Sequence, residues 1–573
     1  MELIDQKTKE IMEECRRRAE KAGLNIQGET LEYIATNRDL LELHPKVMIP
    51  TLYDYWVNDV EVIRGKWVYG IYPHNPYETA INTRPAISFY NDNNPDWLNT
   101  MIFYHVLGHH DFFHNNVFFR RTWDDDFCGE ALADKRLLNR IRDALGAEKR
   151  WVDYAIEFAR GADNLVGYYA ELEEADKVGK GDIFGAASER FNFYFGEFLR
   201  VRHEEKTVEL KFYYDEIDRF NLCLKQFGEK HGEAIFFDDF DFKNKFPEFA
   251  GVFQKHKAKT KGKTKSKDIL QHLMEHSEFI GKEENKWMKD VLGVVRRTSL
   301  YFQPQIRTKI ANEGWASLWH EKLFMADERI RGHEVDFARV NSGVLVDPKV
   351  GLNPYTTGKR LLEFIEELSR KGKLSYGYQL LKNFEARKRF DQKMGEEYGK
   401  KALFGVRQNF DDSMLVNFFS DDDFQDFVDK HNLFVAGERF NPETFRIEVY
   451  IKSRSGKEYR KALNKRLYHP PYVLISAEKA QNGELYLDHV FEGRTLHTPY
   501  IPAVLKGLSY LWGNTVKLET TEFEAEPSNQ WDRFYGSDQK LKYRKARVLY
   551  TCDKQNLNRN VFSYGEMEEA YDE

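Results

Sequence analysis

The chain is poor in cysteine, and the four it has are scattered. Cys15, Cys128, Cys223 and Cys552 form no Cys-x-x-Cys pair among 573 residues. That spacing argues against a disulfide framework and points to a reducing compartment. Long apolar runs are also missing. None approaches the roughly 20 residues that span a bilayer, and Met1 to Lys21 is charged and helix-like, without the apolar core of a signal peptide. A cytoplasmic protein with no membrane span is expected. Charge of one sign is lacking too: 86 basic and 93 acidic side chains leave a net charge of −7, so no basic footprint for nucleic acid is present. Aromatic residues are abundant instead. The 43 Phe and 31 Tyr argue for large packed cores and against disorder.

The pattern along the chain divides it into five stretches. Residues 1–254 read as a mainly helical part. Short strands are expected within 50–92, at Lys66–Tyr72 and Pro85–Tyr90. Residues 255–267, KHKAKTKGKTKSK, place lysine at every second position and read as a solvated linker. The pattern lacks the aromatics that would stack on bases. Residues 268–409 are again helical. From 410 to 525 a small α+β domain is expected, with a hairpin whose strand 445–452 turns at Ser455-Gly456 and continues through Glu458–Lys461. Residues 526–573 read as a polar tail. The fold class is α+β: a predominantly helical N-terminal and central domain built round a zincin-like His helix, plus a small C-terminal antiparallel α+β domain.

Chemistry concentrates first at Tyr104–Asn116, where four of the 17 histidines fall within ten residues. Asn94-Pro95-Asp96 reads as an N-cap, a first-turn proline and a first-turn acid, and the next glycine or proline is Gly108. On the resulting helix Trp97, Met101, His105, Gly108, His109 and Phe112 share a stripe. His105 and His109, four apart, present two imidazoles to one side, the spacing by which a helix offers two ligands to one metal ion. Gly108 would let another segment come close. His110 and His114 form a second such pair on a rotated face. A zinc-peptidase helix would read His-Glu-x-x-His, with the Glu as general base. Val106 stands at that position, so any base must come from elsewhere.

The second concentration is Asn312–His320. On a helix over 305–325, the stripe Ile306, Ile310, Glu313, Ser317, His320, Phe324 places Glu313 and His320 at buried positions. A buried carboxylate needs a partner. One alternative is a core cation such as Arg296, Arg297 or Arg307. The other is a metal, with His105 and His109 completing a His2Glu set. Glu313 and His320 are two turns apart, about 10.5 Å along the axis, so one of them would support the site from behind or act as a base.

These segments together resemble the stage V sporulation protein R (SpoVR) family. The resemblance runs through Tyr77–Pro85, through His105, Gly108, His109, Phe112, Phe113, Asn115 and Asn116, through Tyr301–His320 with its Asn312-Glu313-Gly314-Trp315-Ala316 core, and through Gly351, Asn353, Pro354, Tyr355 and Gly358. Leu511-Trp512-Gly513 and Val516, Leu518, Glu519 resemble its end. His110 and His114 depart from the family pattern. The resemblance implies a role in spore cortex formation, or in stress or development where no spore forms, alongside a PrkA-type serine protein kinase and a von Willebrand factor A-type protein. Two functions follow as expectations. The first is a metal-dependent, hydrolytic enzyme with a divalent metal such as zinc on His105, His109 and Glu313. Glu313 and His320 would take catalytic roles, Glu130 would be an alternative carboxylate, and an amide of a peptidoglycan precursor would be the substrate. The second is a non-enzymatic regulatory or scaffold protein in which the His and Glu cluster is structural.

Overall fold

The computed structural model describes residues 2–26, 28–36, 78–83, 85–119, 127–162, 229–260, 268–346, 352–374, 383–441, 446–468, 470–491, 494–525, 543–554 and 556–568, with isolated positions at 39, between 190 and 223, at 378 and at 381. The strand expected at 66–72 and the lysine run beyond residue 260 lie outside them. Residues 255–260, the start of that run, continue the helix Phe249–Thr260. The chain forms two compact units, one from 1–136 and 301–469, the other from 137–300 and 470–573.

The first unit begins with a four-stranded mixed sheet. Its strands are β1 (Glu2–Leu3), β2 (Thr30–Ala35), β3 (Glu78–Ile81) and β4 (Ala86–Asn91), in the order β1-β2-β4-β3. β2 and β4 run parallel, Thr30 opposite Ala86, and the other pairs are antiparallel. Helix α1 (Gln6–Ala22) precedes β2; Asp5 caps its start and Gly23, at φ 107°, ends it in the left-handed conformation that glycine adopts freely.

Helix α2 (Asp96–Asn115) is the expected His helix, with Pro95 rather than Asn94 at the cap position. It differs from expectation in burial. Every residue from Thr100 to Phe113 is buried, so the Trp97–Phe112 stripe is only one of several covered faces. Asp111, on one of those further faces, is satisfied inside the protein instead of in water, as described below.

Helix α3 (Lys309–Phe324) carries Glu313 and His320. The helix expected over 305–325 is in fact two. Trp287–Arg307 ends at Thr308, whose hydroxyl donates to the Pro304 carbonyl at 2.7 Å. The first free amides of α3, Ile310 and Ala311, donate to the two carboxylate oxygens of Asp412 at 2.9 and 2.8 Å. A side chain a hundred residues away thus caps the helix. Ile306, before the break, is consequently exposed and not part of the buried stripe. Helices α4 (Glu334–Val344), α5 (Pro354–Arg370), α6 (Glu396–Asn409), α7 (Asp412–Asn417) and α8 (Asp421–Lys430) complete a core that includes Met101, Phe112, Trp315, Phe324 and Leu361.

The expected hairpin at 445–461 is replaced by a strand and a helix. β6 (Arg446–Ser453) pairs backwards with β5 (Val435–Asn441), and Ser455 caps α9 (Gly456–Arg466) by accepting from the Glu458 amide. Ser-Gly fits a turn and a helix start equally well, and the capping bond decided between them.

In the second unit, β7 (Tyr472–Ile475), β8 (Leu485–Val490), β9 (Val516–Ala525), β10 (Tyr543–Asp553) and β11 (Asn556–Glu568) form one sheet in the order β11-β10-β9-β8-β7. It is not wholly antiparallel as expected. β8 and β9 are parallel, because the chain between them makes the crossover that parallel strands require, α10 (Ile501–Trp512). The expected polar tail contributes β10 and β11, and Ala546, Val548 and Cys552 are fully buried.

Candidate functional site

The site forms where α2 crosses α3 in the first unit. The crossing is close because of a glycine: a Cβ on Gly108 would lie 2.8 Å from the Ala316 Cα. This is the close approach expected of Gly108. On its far side α3 meets α5 still more tightly, since a Cβ on Gly314 would lie 2.3 Å from the Gly358 carbonyl carbon. Gly108 and Ala316 lie between the functional side chains of their helices, so the crossing sets the distance between His105, His109, Glu313 and His320.

Three of these four converge. His105 Nε2 and His109 Nε2 are 3.1 Å apart, with their rings perpendicular. Glu313 Oε2 lies 3.5 Å from His109 Nε2 and 3.8 Å from His105 Nε2. Both imidazoles are buried, at 5% and 7% exposure. Glu313 Oε2 is itself buried and accepts no hydrogen bond. This is the one group of three or more His, Cys, Asp or Glu side chains among the described residues whose donor atoms lie close enough together to hold a metal ion.

The donor set fits such an ion. A tetrahedral zinc with nitrogen ligands at about 2.05 Å separates them by about 3.3 Å, close to the His–His spacing seen. A desolvated carboxylate oxygen with no donor is the second point of fit, because such an atom carries a cost that a cation removes. Two of the three arginines proposed as alternative partners of Glu313 are engaged elsewhere, Arg307 with Asp411 at 3.2 Å and Arg296 with Asp268 at 2.7 Å, and the third, Arg297, is exposed.

His320 is not a fourth member. It stands behind His105, Nδ1 to Nδ1 at 2.9 Å, while its Nε2 faces Asn341 Oδ1 at 3.2 Å. The 3.6-residue period brought His320 to the site's side of α3, but the two turns separating it from Glu313 put it behind His105. His109 is held the same way, its Nδ1 3.0 Å from Asn312 Oδ1. The Tyr355 ring stacks near His105, with centroids 6.0 Å apart. Asn312, Asn341 and Tyr355 had no assigned role from sequence. Asn312 and Tyr355 fall inside the motifs already singled out, whereas Asn341 lies in no motif and only the fold brings it near.

Burial lowers two of the imidazoles, His109 and His320. It pushes His109 down to about 4, His105 acting in the same direction and Glu313 and Asn312 against it. His320 is pushed down to about 3, again chiefly by burial. Glu313 is held below the usual carboxylate range: burial raises it, and the two histidines and Lys309 more than offset that.

The remaining candidates lie apart. His110 is fully buried, with neither ring nitrogen hydrogen-bonded, and its ring is 6.2 Å from that of His114; neither joins the cluster. Glu130 is exposed on the helix Phe127–Leu145 and is not one of the three converging groups. Val106, where a zinc peptidase has its base, is fully buried, and the zincin likeness of α2 goes no further than its histidine spacing.

Known proteins bear on this arrangement. The Uncharacterized protein YcgB of Escherichia coli (strain K12) is 21% identical over 515 residues, covering 85% of this chain and 86% of that protein. No solved structure matches the chain. No helix among the described residues is long and apolar enough to cross a membrane. The family model described as SpoVR like protein matches residues 4–469, a span that contains every residue of the cluster. The chain therefore belongs to the SpoVR-like family.

Proposed function

We propose that His105, His109 and Glu313 bind one divalent metal ion, with zinc the best fit, and that this site serves a hydrolytic reaction. The observation that carries the reading is the convergence of two imidazole nitrogens on a buried carboxylate oxygen that has no hydrogen-bond donor. When bound, the ion would supply Lewis acidity toward a carbonyl or a water. The chain's own residues do the rest. Asn312 and His320 orient the two imidazoles, and the closed crossing at Gly108 excludes water from behind. Val106 cannot accept a proton, and Glu313 would do so only through the carboxylate oxygen not given to the ion. The family's association with the spore cortex suggests an amide in a peptidoglycan precursor as substrate. The test is native mass spectrometry of tag-free protein, followed by assay of amide-containing muropeptides. The expected result is one zinc per chain, falling to under about a tenth in His105→Ala, with amine release lost in the same variant. A metal-free wild type that retains function would sink the proposal.

A second reading is favoured by two observations: Val106 in place of a base, and ligands almost wholly enclosed by protein, which suits a structural ion. On this reading the protein is a regulator or scaffold acting with a PrkA-type serine protein kinase and a von Willebrand factor A-type protein. Glu313→Gln separates the two. Unchanged melting temperature of the metal-free protein with lost activity favours catalysis, and a large fall in melting temperature favours structure.

A further inference from the structure

A chain of hydrogen bonds leads from the surface to the back of His105, and it has a direction. Glu321, on α3 one residue past His320, accepts from the Asn341 side-chain amide, Nδ2 to Oε2 at 3.0 Å, while Lys359 Nζ lies 3.4 Å from its other oxygen. A carboxylate offers only acceptors, so it turns the Asn341 nitrogen toward itself and the Asn341 oxygen toward His320. That oxygen, 3.2 Å from His320 Nε2, can only accept. His320 must therefore carry its ring proton on Nε2. A neutral imidazole has one such proton, so His320 Nδ1 is bare. It faces His105 Nδ1 at 2.9 Å, which must then be the donor. His105 is left with a bare Nε2, aimed at His109 and Glu313.

We propose that Glu321 and Asn341, acting through His320, are positioning residues that fix the ring tautomer of His105 and so hold its Nε2 lone pair toward the cluster. Neither touches the cluster itself. Without them His320 has no reason to prefer Nε2–H, and a single swap would reverse the bond to His105 and put a proton where the lone pair is needed. The consequence for affinity rests on the metal reading above; the tautomer is a property of the metal-free protein.

The experiment uses zinc-stripped, full-length protein with 15N-labelled histidine. Two-bond 1H–15N correlation spectra, assigned with single His→Gln variants, report which ring nitrogen carries the proton. In the wild type, His105 is expected as Nδ1–H and His320 as Nε2–H. In Asn341→Leu both lose that preference, and zinc affinity, measured by competition with a chelator, falls about 10–100-fold. Asn341→Asp keeps an acceptor toward His320 Nε2 and restores both readouts, which a purely structural role for the amide would not. If Asn341→Leu does not fold, Glu321→Ala, which frees the amide to turn, is read in the same way. A wild-type His105 protonated on Nε2, or a tautomer indifferent to both changes, overturns the proposal. A wild type with the expected tautomers that binds no zinc leaves it standing and removes the metal reading instead.

Discussion

Two buried carboxylates lie between α2 and its neighbours in the first unit, and their surroundings differ. Asp111, two residues beyond His109, is surrounded by donors. Its Oδ1 accepts from the Asn25 amide at 2.6 Å and lies 3.5 Å from Arg407 Nη1, and its Oδ2 accepts from Trp315 Nε1 at 2.9 Å. Glu313 faces two imidazole nitrogens, and its buried oxygen has no donor. One carboxylate is finished by the protein and holds the fold; on the metal reading proposed above, the other is left for a cation. The sharpest way to break this comparison is to remove each in turn from the metal-free protein. Asp111→Ala leaves Arg407 buried without its ion pair and Trp315 without an acceptor, and should cost about 3–5 kcal/mol in urea unfolding. Glu313→Gln loses no hydrogen bond at the buried oxygen and should shift the same curve by less than about 1 kcal/mol. Equal losses would mean that Glu313 is structural.

The same comparison has a pH dependence. Burial raises Asp111 to about 6 from an unfolded value near 3.8, against the opposing pull of Arg407, Asn25 and Trp315. A raised carboxylate pKa means that the folded state holds its proton longer than the unfolded state. Its contribution to stability is greatest below about pH 4, falls as pH rises to about 6, and is flat beyond, a total of about 3 kcal/mol. Stability of the wild type relative to Asp111→Asn should therefore decline through that window. A rise would show that the Arg407 pair outweighs desolvation.

Much of the site was legible because its signals are local. The i, i+4 pair on α2 needs only the helix, and Pro95-Asp96 announced where that helix starts. Glu313 stood out as a carboxylate on an apolar stripe. What escaped were features decided by distant parts of the chain. The break at Thr308 depends on Asp412, the satisfied burial of Asp111 on Trp315 and Arg407, and the turning of His320 on Asn341. No window of sequence contains both partners in any of these. The same holds for the sheets. A short aromatic and β-branched run marked β4 as a strand, but the parallel pairing of β8 with β9 follows from α10 lying between them.

If Glu313 awaits a cation and Asp111 does not, adding metal should act on one carboxylate only. Zinc at a hundred times its dissociation constant should raise unfolding free energy by about 2.7 kcal/mol. The increment should vanish in Glu313→Gln and survive in Asp111→Asn, read as melting temperature with and without zinc. An increment unaffected by Glu313→Gln would put the ion elsewhere.

The smallest change tests the crossing that brings the cluster together. In a helix interior, alanine is better than glycine by about 1 kcal/mol, so replacing a helical glycine should stabilise wherever there is room. Gly405, on α6, has nothing within 4 Å of the place a Cβ would take, and Gly405→Ala should gain close to that amount. Gly108→Ala gains the same propensity but sets a methyl 2.8 Å from the Ala316 Cα, backbone that cannot turn aside. The helices must part, at about 1–3 kcal/mol for overpacking, for a net loss of about 1 kcal/mol. Glu313 and the two histidines sit on opposite sides of that contact, so zinc affinity should fall in Gly108→Ala by more than its stability change accounts for, while Asp111, whose Asn25 donor lies off α3, keeps that bond. A Gly108→Ala variant that is destabilised yet binds zinc as the wild type does would separate the packing of α2 on α3 from the geometry of the cluster.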